Sequence, residues 1–476
     1  MNTRLALLAW LTLPALAYTS SARAQDIKCE KDLKKAAELV HTYWSFMIFK
    51  PGAFDLKRAT STLMPEAEVA TTPEACADVI ARFMAHLKDG HSSLQYFPGF
   101  VVRTTPEIEL RSYRQRMVER PGDRARVRVF VVSRDTADAA LAAVMPGSEL
   151  LAVDGAPVDS LYWWMHDRIS GSTEHWRDHL ADERLLVGPA ESEITLTLRD
   201  VHRRIYTVTV RRPPDPFDGD EKARREAAKL EYDTMTVAES KVLDRGWGYL
   251  KLKTFAWKGI RETVGKFDEA LNPILDRPGI ILDLRDNGGG YVGAMTEIAG
   301  RFISEKIVLQ YLQAREPGSR YVVEFWDPKR GGSPIPPTFA EPRKPIYEGP
   351  VIVLIDSGCF SACEGFTGGL QSVGRVTVVG TGPSGGGSGP VTGSELPSGA
   401  VISFSWAVTW RPDGTQIETN GVAPDIKVRE NPADFAAGRD VVLDKAIQLL
   451  EAGRAPTIAD AQWEAGRERR NPLTPP

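Results

Sequence analysis

Two near-continuous apolar runs constrain this chain more than any other feature. Gly279 to Leu284, bounded by Pro278 and Asp286, and Pro350 to Ile355 read as strands covered on both faces. Each run stops at a polar loop and leads toward a helical pattern. Around them Leu250 and Leu252 alternate with Lys251 and Lys253, and Ile260, Val264, Phe267, Leu271 and Ile274 form a helical stripe. Further strands are expected over 376–379 and 401–410, and a final helix over 440–452. Repeated strand–turn–helix units of this kind predict an α/β fold built from βαβ units.

The residues ahead of this region are patterned differently. Leu33, Ala36, Val40, Tyr43 and Met47 share one helical face, as do Val79, Phe83 and Leu87. A turn-like break, Lys88-Asp89-Gly90-His91-Ser92-Ser93, ends that helical unit. From about 97 to 213 the pattern is β-rich: Val127, Val129 and Val131 alternate, and Ile194, Leu196 and Leu198 face Tyr206, Val208 and Val210 across a polar turn. Within it, Met145 to Val158 resembles the strand-and-turn stretch of a PDZ domain, interrupted afterwards by a long aromatic insert from Trp163 to Glu183. Residues 214–245 are charged and open with prolines, which suggests a linker. The polar tail after 455 is expected to be loose.

The first 24 residues form a separate signal. Arg4 gives a positive start, Leu5 to Ala17 is an apolar stretch too short to span a bilayer, and Ala22-Arg23-Ala24 is a small-residue cleavage site. A cleaved secretory signal peptide is therefore expected, and an exported protein, periplasmic or secreted. No later stretch approaches the ~20 apolar residues of a transmembrane helix. With 59 Lys+Arg against 63 Asp+Glu, nothing favours nucleic acid as a partner.

Export allows disulfides. Cys29 and Cys76, each on a helix-like pattern, are expected to pair. Cys359 and Cys363, four apart, are expected to be buried packing residues rather than a local bridge. No Cys-x-x-Cys is present, and His175-Trp176 lacks the H-E-x-x-H arrangement, so neither a metal nor another cofactor is expected.

Chemistry is expected where the two buried strands end. Ile355-Asp356-Ser357-Gly358-Cys359-Phe360-Ser361-Ala362-Cys363-Glu364 places Ser361 at a strand-to-helix junction, where following N–H groups can meet an oxyanion. From this segment alone, a helix cap is the favoured reading of Ser361. Asp286-Asn287-Gly288-Gly289-Gly290 ends the other strand, and its glycines allow close backbone approach.

Together the loops resemble Peptidase family S41, the family of C-terminal processing proteases. The matching motifs are residues 283–290, Ser361 to Glu364, and Gly421-Val422-Ala423-Pro424-Asp425, in that order. The resemblance implies a ClpP/crotonase-like core with Ser361 as nucleophile, and Gly289, Gly290 and Ala362 as oxyanion-hole donors. It departs in one loop: the lysine that the tail-processing branch uses as base is missing from Gly382 to Gly389. The base expected instead is His91, since Asp89-Gly90-His91-Ser92 resembles the motif of the tricorn-like and chlamydial secreted branch. That branch pairs the histidine with a glutamate nearly sixty residues after the serine, which points to Glu418. Asp89 is read as shaping the turn, Glu364 as favouring the helix dipole, and Gly385, Gly386 and Gly387 as bordering the substrate groove.

The expected layout is a signal peptide (1–24), a helical segment (25–96), a PDZ-like domain (97–213), a linker (214–245), a catalytic core (246–435) and a C-terminal helix with tail (436–476). The expected activity is that of a serine endopeptidase on polypeptides, with peptide binding by the PDZ-like domain. A non-catalytic binding protein on the same scaffold, or an esterase-like hydrolase, are the rival readings.

Overall fold

The computed structural model describes residues 27–49, 54–98, 103–115, 124–215, 229–230, 232–314 and 335–467. The expected signal peptide lies outside them. At the centre is a sheet in which Gly248–Leu252, Ile280–Asp283, Val351–Ile355, Thr377–Gly380 and Ile426–Lys427 run parallel in that order. Ala238–Val242 adds an antiparallel edge strand. The sheet thus begins inside the stretch expected to be a linker.

Burial on both faces explains the apolar runs. Ile280, Leu282, Val351, Val353 and Ile355 pack with Phe267, Met295, Ile298, Phe366 and Leu370 on one side. Ile281, Ile352 and Leu354 pack with Val442, Ala446, Leu449 and Leu450 on the other. Alternate residues thus enter opposite layers, as the period of a strand dictates. The two central strands are in register, with Asp283 opposite Leu354, so their following loops emerge side by side. The carboxyl end of a parallel sheet is where α/β folds place ligands.

The β-rich region forms an antiparallel sheet in the order Ile108–Gln115, Arg126–Arg134, Glu149–Val153, Glu193–Arg199, Ile205–Arg211. The aromatic insert is helical, Val158–His166 followed by Glu174–Arg184. Thr173 caps the second helix by accepting from the Trp176 N–H.

The helices Cys29–Tyr43, Leu56–Val69 and Pro73–Ala85 do not form a self-contained unit. Ser93–Tyr96 pairs with Val401–Ser405, and Ile402, Phe404 and Val408 complete the helical core. A short helical segment cannot bury its own apolar faces, and a distant hairpin supplies the missing wall. The tail also differs from expectation. It is tied to the core at particular points: Gln462 N–H donates to Val373 O, and Gly466 lies against Val373 and Ile307.

Cys29 and Cys76 are joined, across 47 positions of sequence. Closing a loop of that size restricts the unfolded chain, for about 2–4 kcal/mol of stabilisation. A Cys29→Ala/Cys76→Ala double variant should lose about that much in urea unfolding. An unchanged unfolding free energy would contradict this role.

Candidate active site

Ser361 stands where the chain leaves Val351–Ile355 and enters the helix Ala362–Ser372. Its φ of 57° is one that residues bearing a Cβ rarely adopt. Such strain persists only where surroundings enforce it. Several contacts do so. Asp356 Oδ1 accepts from the N–H groups of Gly358 and Asp286, each at 2.9 Å, tying the two loops together. Phe360 N–H donates to Asn287 O at 3.0 Å. The Ser361 N–H donates to Glu364 Oε2 at 2.9 Å.

Cys359 and Cys363 bracket the serine and form a disulfide, contrary to the expectation of free packing residues. The sharp turn at Ser361 brings their Cα atoms to 5.5 Å, within bridging range. Spacing alone does not reveal this, because an extended chain would hold them too far apart.

The glycine loop lies directly against this elbow. A Cβ on Gly289 would sit 2.5 Å from Phe360 O and 2.7 Å from Ala362 N, so only glycine fits. Gly290, with φ 142°, is equally close to the Phe255–Ala256 backbone. One expected role changes. The Gly289 N–H donates to Asn287 Oδ1 at 2.9 Å, so it is committed to its own turn rather than to an oxyanion. Asn287 in turn donates to Leu252 O, anchoring the loop to the sheet.

His91 is delivered by the loop after Pro73–Ala85. Asp89 organises this loop from a fully buried position. Its carboxylate accepts from Trp44 Nε1, His91 N, Ser92 Oγ and Ser405 Oγ at 2.6–3.0 Å. The His91 ring rests on Phe360, with centroids 4.7 Å apart. Both its nitrogens are buried without a hydrogen-bond partner. Burial, opposed by Asp89 and by the facing Ser388 backbone, holds its pKa below the usual histidine value. Glu418 is fully buried, and its Oε2 accepts from Ser388 N–H at 3.0 Å. Ser388 is therefore the common neighbour of His91 and Glu418. His91 thus meets Phe360 and Glu418 meets Ser388.

All three glycines of the Gly385–Gly387 loop are buried. A Cβ on Gly385 or Gly387 would strike the Phe360 ring at 2.6 and 1.9 Å. Gly386 N–H and Gly387 N–H donate to the Glu364 carboxylate at 2.8 Å, and Ser384 Oγ donates at 2.6 Å. Glu364 thus does more than favour a helix dipole: it fastens the nucleophile's own N–H and this loop to one buried carboxylate. Burial outweighs those hydrogen bonds and pushes its pKa up to about 7.

Phe360 and Trp176, which no motif singles out, are the residues missed. Their rings stack at 4.0 Å. The aromatic insert and the run of small residues at 385–387 were the only signals. His175 and His179 take separate partners: His175 Nε2 meets Ser384 O at 2.7 Å, while His179 faces Glu183 at 3.4 Å. Among the described residues no group of three or more His, Cys, Asp or Glu is arranged to hold a metal ion.

Glu364→Gln tests the fastening role. The amide keeps the shape but turns a donor toward N–H groups that need an acceptor, so stability should fall by about 1–3 kcal/mol in urea unfolding. Wild-type stability in the variant would show that the carboxylate is dispensable.

Comparison with known proteins places this geometry. Residues 246–428 match the family model described as Peptidase family S41. The chain is 28% identical over 315 residues to a carboxy-terminal-processing protease of Bartonella bacilliformis, covering 66% of this chain and 61% of that protein. It is 28% identical over 218 residues to the carboxy-terminal processing protease CtpB of Bacillus subtilis, covering 45% and 40%. It is 31% identical over 186 residues to tricorn protease homolog 1 of Streptomyces coelicolor, but spans only 15% of that protein. Each match thus spans less than two thirds of the relative's length. The fold is similar to the crystal structure of mature CPAF, with TM-score 0.67 at 18% identity over 90% of this chain and 99% of that one. Over residues 246–428, then, this chain is similar to Peptidase family S41.

Proposed function

We propose that this protein is an exported serine endopeptidase that cleaves polypeptides through an acyl-enzyme. The observation that carries this reading is Ser361 held at φ 57° on a strand-to-helix elbow, with a glycine loop pressed against it. In this reading His91 takes the Ser361 proton as Oγ attacks the scissile carbonyl. Burial keeps the imidazole neutral at ordinary pH, which suits a base. The Gly290 and Ala362 N–H groups stabilise the tetrahedral oxyanion, since Gly289 is engaged elsewhere. His91 returns the proton to the leaving amine, and water attacks the acyl-serine by the same route. Glu418 steadies the imidazolium through the Ser388 region. Nothing in this route needs a metal or an organic cofactor.

The core is read as ClpP/crotonase-like and the antiparallel sheet as PDZ-like, taking extended polypeptide by strand addition. The printed names of the relatives, processing and tricorn-type proteases, agree with a polypeptide substrate. Export rests on the leader-like first 24 residues, and two disulfides suit an oxidising compartment, periplasmic or extracellular. No helix among the described residues is long and apolar enough to cross a membrane.

Ser361→Ala should fold and lose peptide hydrolysis by several orders of magnitude, because the covalent route is gone. Undiminished turnover of a casein or peptide-library substrate by the pure variant would end the enzymatic assignment.

The base is tested by pH. A histidine must be neutral to accept a proton, so kcat/KM should rise as pH passes its pKa. Burial lowers that pKa, so the midpoint in the free enzyme should fall below about 6.5, with a plateau toward mild alkali. His91→Ala should remove this limb with most of the activity, and Glu418→Gln should lower the rate while keeping the limb. A single limb centred in the alkaline range would point to another base.

A further inference from the structure

The helix Glu174–Arg184 is rooted in the inserted β unit, yet the segment leading into it reaches the active site. Its root is polar: Asp182 Oδ2 accepts from Ser112 N–H at 2.8 Å, and Arg114 pairs with Glu174 and Asp178. From that anchor, Ser170 to Trp176 touches the His91 loop, the Glu418 loop, the 385–387 loop and Phe360. Ser170 Oγ donates to Asp89 O at 2.7 Å and accepts from Asp89 N–H at 3.1 Å, on the His91 loop. Ser172 Oγ accepts from Thr419 N–H at 3.1 Å, beside Glu418, and donates to Gly386 O at 2.8 Å. Thr173 Oγ1 donates to Gly385 O at 2.6 Å. Trp176 lies flat on Phe360, at 4.0 Å and 9°, and the His91 ring also contacts Phe360, with centroids 4.7 Å apart.

Trp176 is 9% exposed, and its Nε1 is buried without a partner. A buried indole usually finds an acceptor. Here the hydrogen bond is forgone and the ring face is what the site uses. Gly90, Gly171 and Gly385 line the indole so closely that a Cβ on any of them would come within 3.3 Å of it.

We propose that Trp176 is a positioning residue: it fixes the Phe360 ring that seats the His91 imidazole beside Ser361, and so makes assembly of the catalytic group depend on the inserted β unit. This rests on the serine-peptidase reading above. Trp176 touches no reacting atom, so its removal should act on the imidazole rather than on substrate binding.

The test uses the full chain with Trp176→Leu, which keeps apolar volume, and Trp176→Phe, which keeps a stacking ring. Four quantities are read: urea midpoint, kcat and KM for a fluorogenic peptide, rate of Ser361 labelling by a fluorophosphonate, and the NMR titration of His91. Trp176→Leu should stay folded and lose about 10- to 100-fold in kcat and labelling rate, with KM little changed. Its His91 titration should move up toward the ordinary value, because water reaches the ring. Trp176→Phe should restore most of the rate and the titration. Wild-type kcat and His91 titration in folded Trp176→Leu would overturn the proposal while leaving the peptidase reading intact. Rates that fall only in proportion to the folded fraction, with an unmoved titration, would also overturn it. Absence of labelling at Ser361 in the wild type would overturn both.

Discussion

The site depends on one packing constraint: two adjacent parallel strands, apolar on both faces, end in register. Ile280–Asp283 and Val351–Ile355 cannot slip against each other without moving every side chain into the wrong layer. Their loops therefore leave the sheet side by side, and the glycine turn after one meets the serine elbow after the other. The strain at Ser361 and the close approach of Gly289 are both held by that register.

Buried carboxylates then hold the rest together. Asp356 joins the two strand-end loops, Asp89 shapes the His91 loop, and Glu364 fastens the Ser361 N–H to the 384–387 loop. A carboxylate taken out of water is costly unless donors surround it. These acids find their donors mostly on backbone N–H groups and hydroxyls of distant segments. Each thus converts its own desolvation cost into a requirement that the loops sit in one arrangement. The His91 imidazole and the Trp176 indole N–H are different: both are buried without a side-chain hydrogen bond.

Local patterns made much of this legible. The apolar runs announced doubly covered strands, and the structure supplies the two covering layers. The glycine loop, Ser361, His91 and Glu418 stood out by motif, and the fold brings their segments together from positions far apart in sequence. What was not legible depends on long-range partners. The N-terminal helices read as a unit because their stripes are local, whereas the hairpin wall that completes their core lies beyond residue 390. Gly385 to Gly387 signal close approach without saying to what; the answer, Phe360, is a side chain with no motif of its own. The Cys359–Cys363 bridge required the backbone reversal at Ser361. The tail's attachment required a groove formed by residues near 307 and 373.

The central claim is that Ser361 becomes covalently acylated during turnover. It is tested most directly by incubating the wild-type protein with an activated acyl ester, quenching in acid, and mapping the adduct by peptide mass spectrometry. The account predicts one acyl group per chain, on the peptide containing Ser361, forming as the alcohol leaves, preceding release of the free acid, and lost on return to neutral pH. Turnover without an adduct on that peptide, or an adduct on another residue that forms and decays at the rate of turnover, would contradict it.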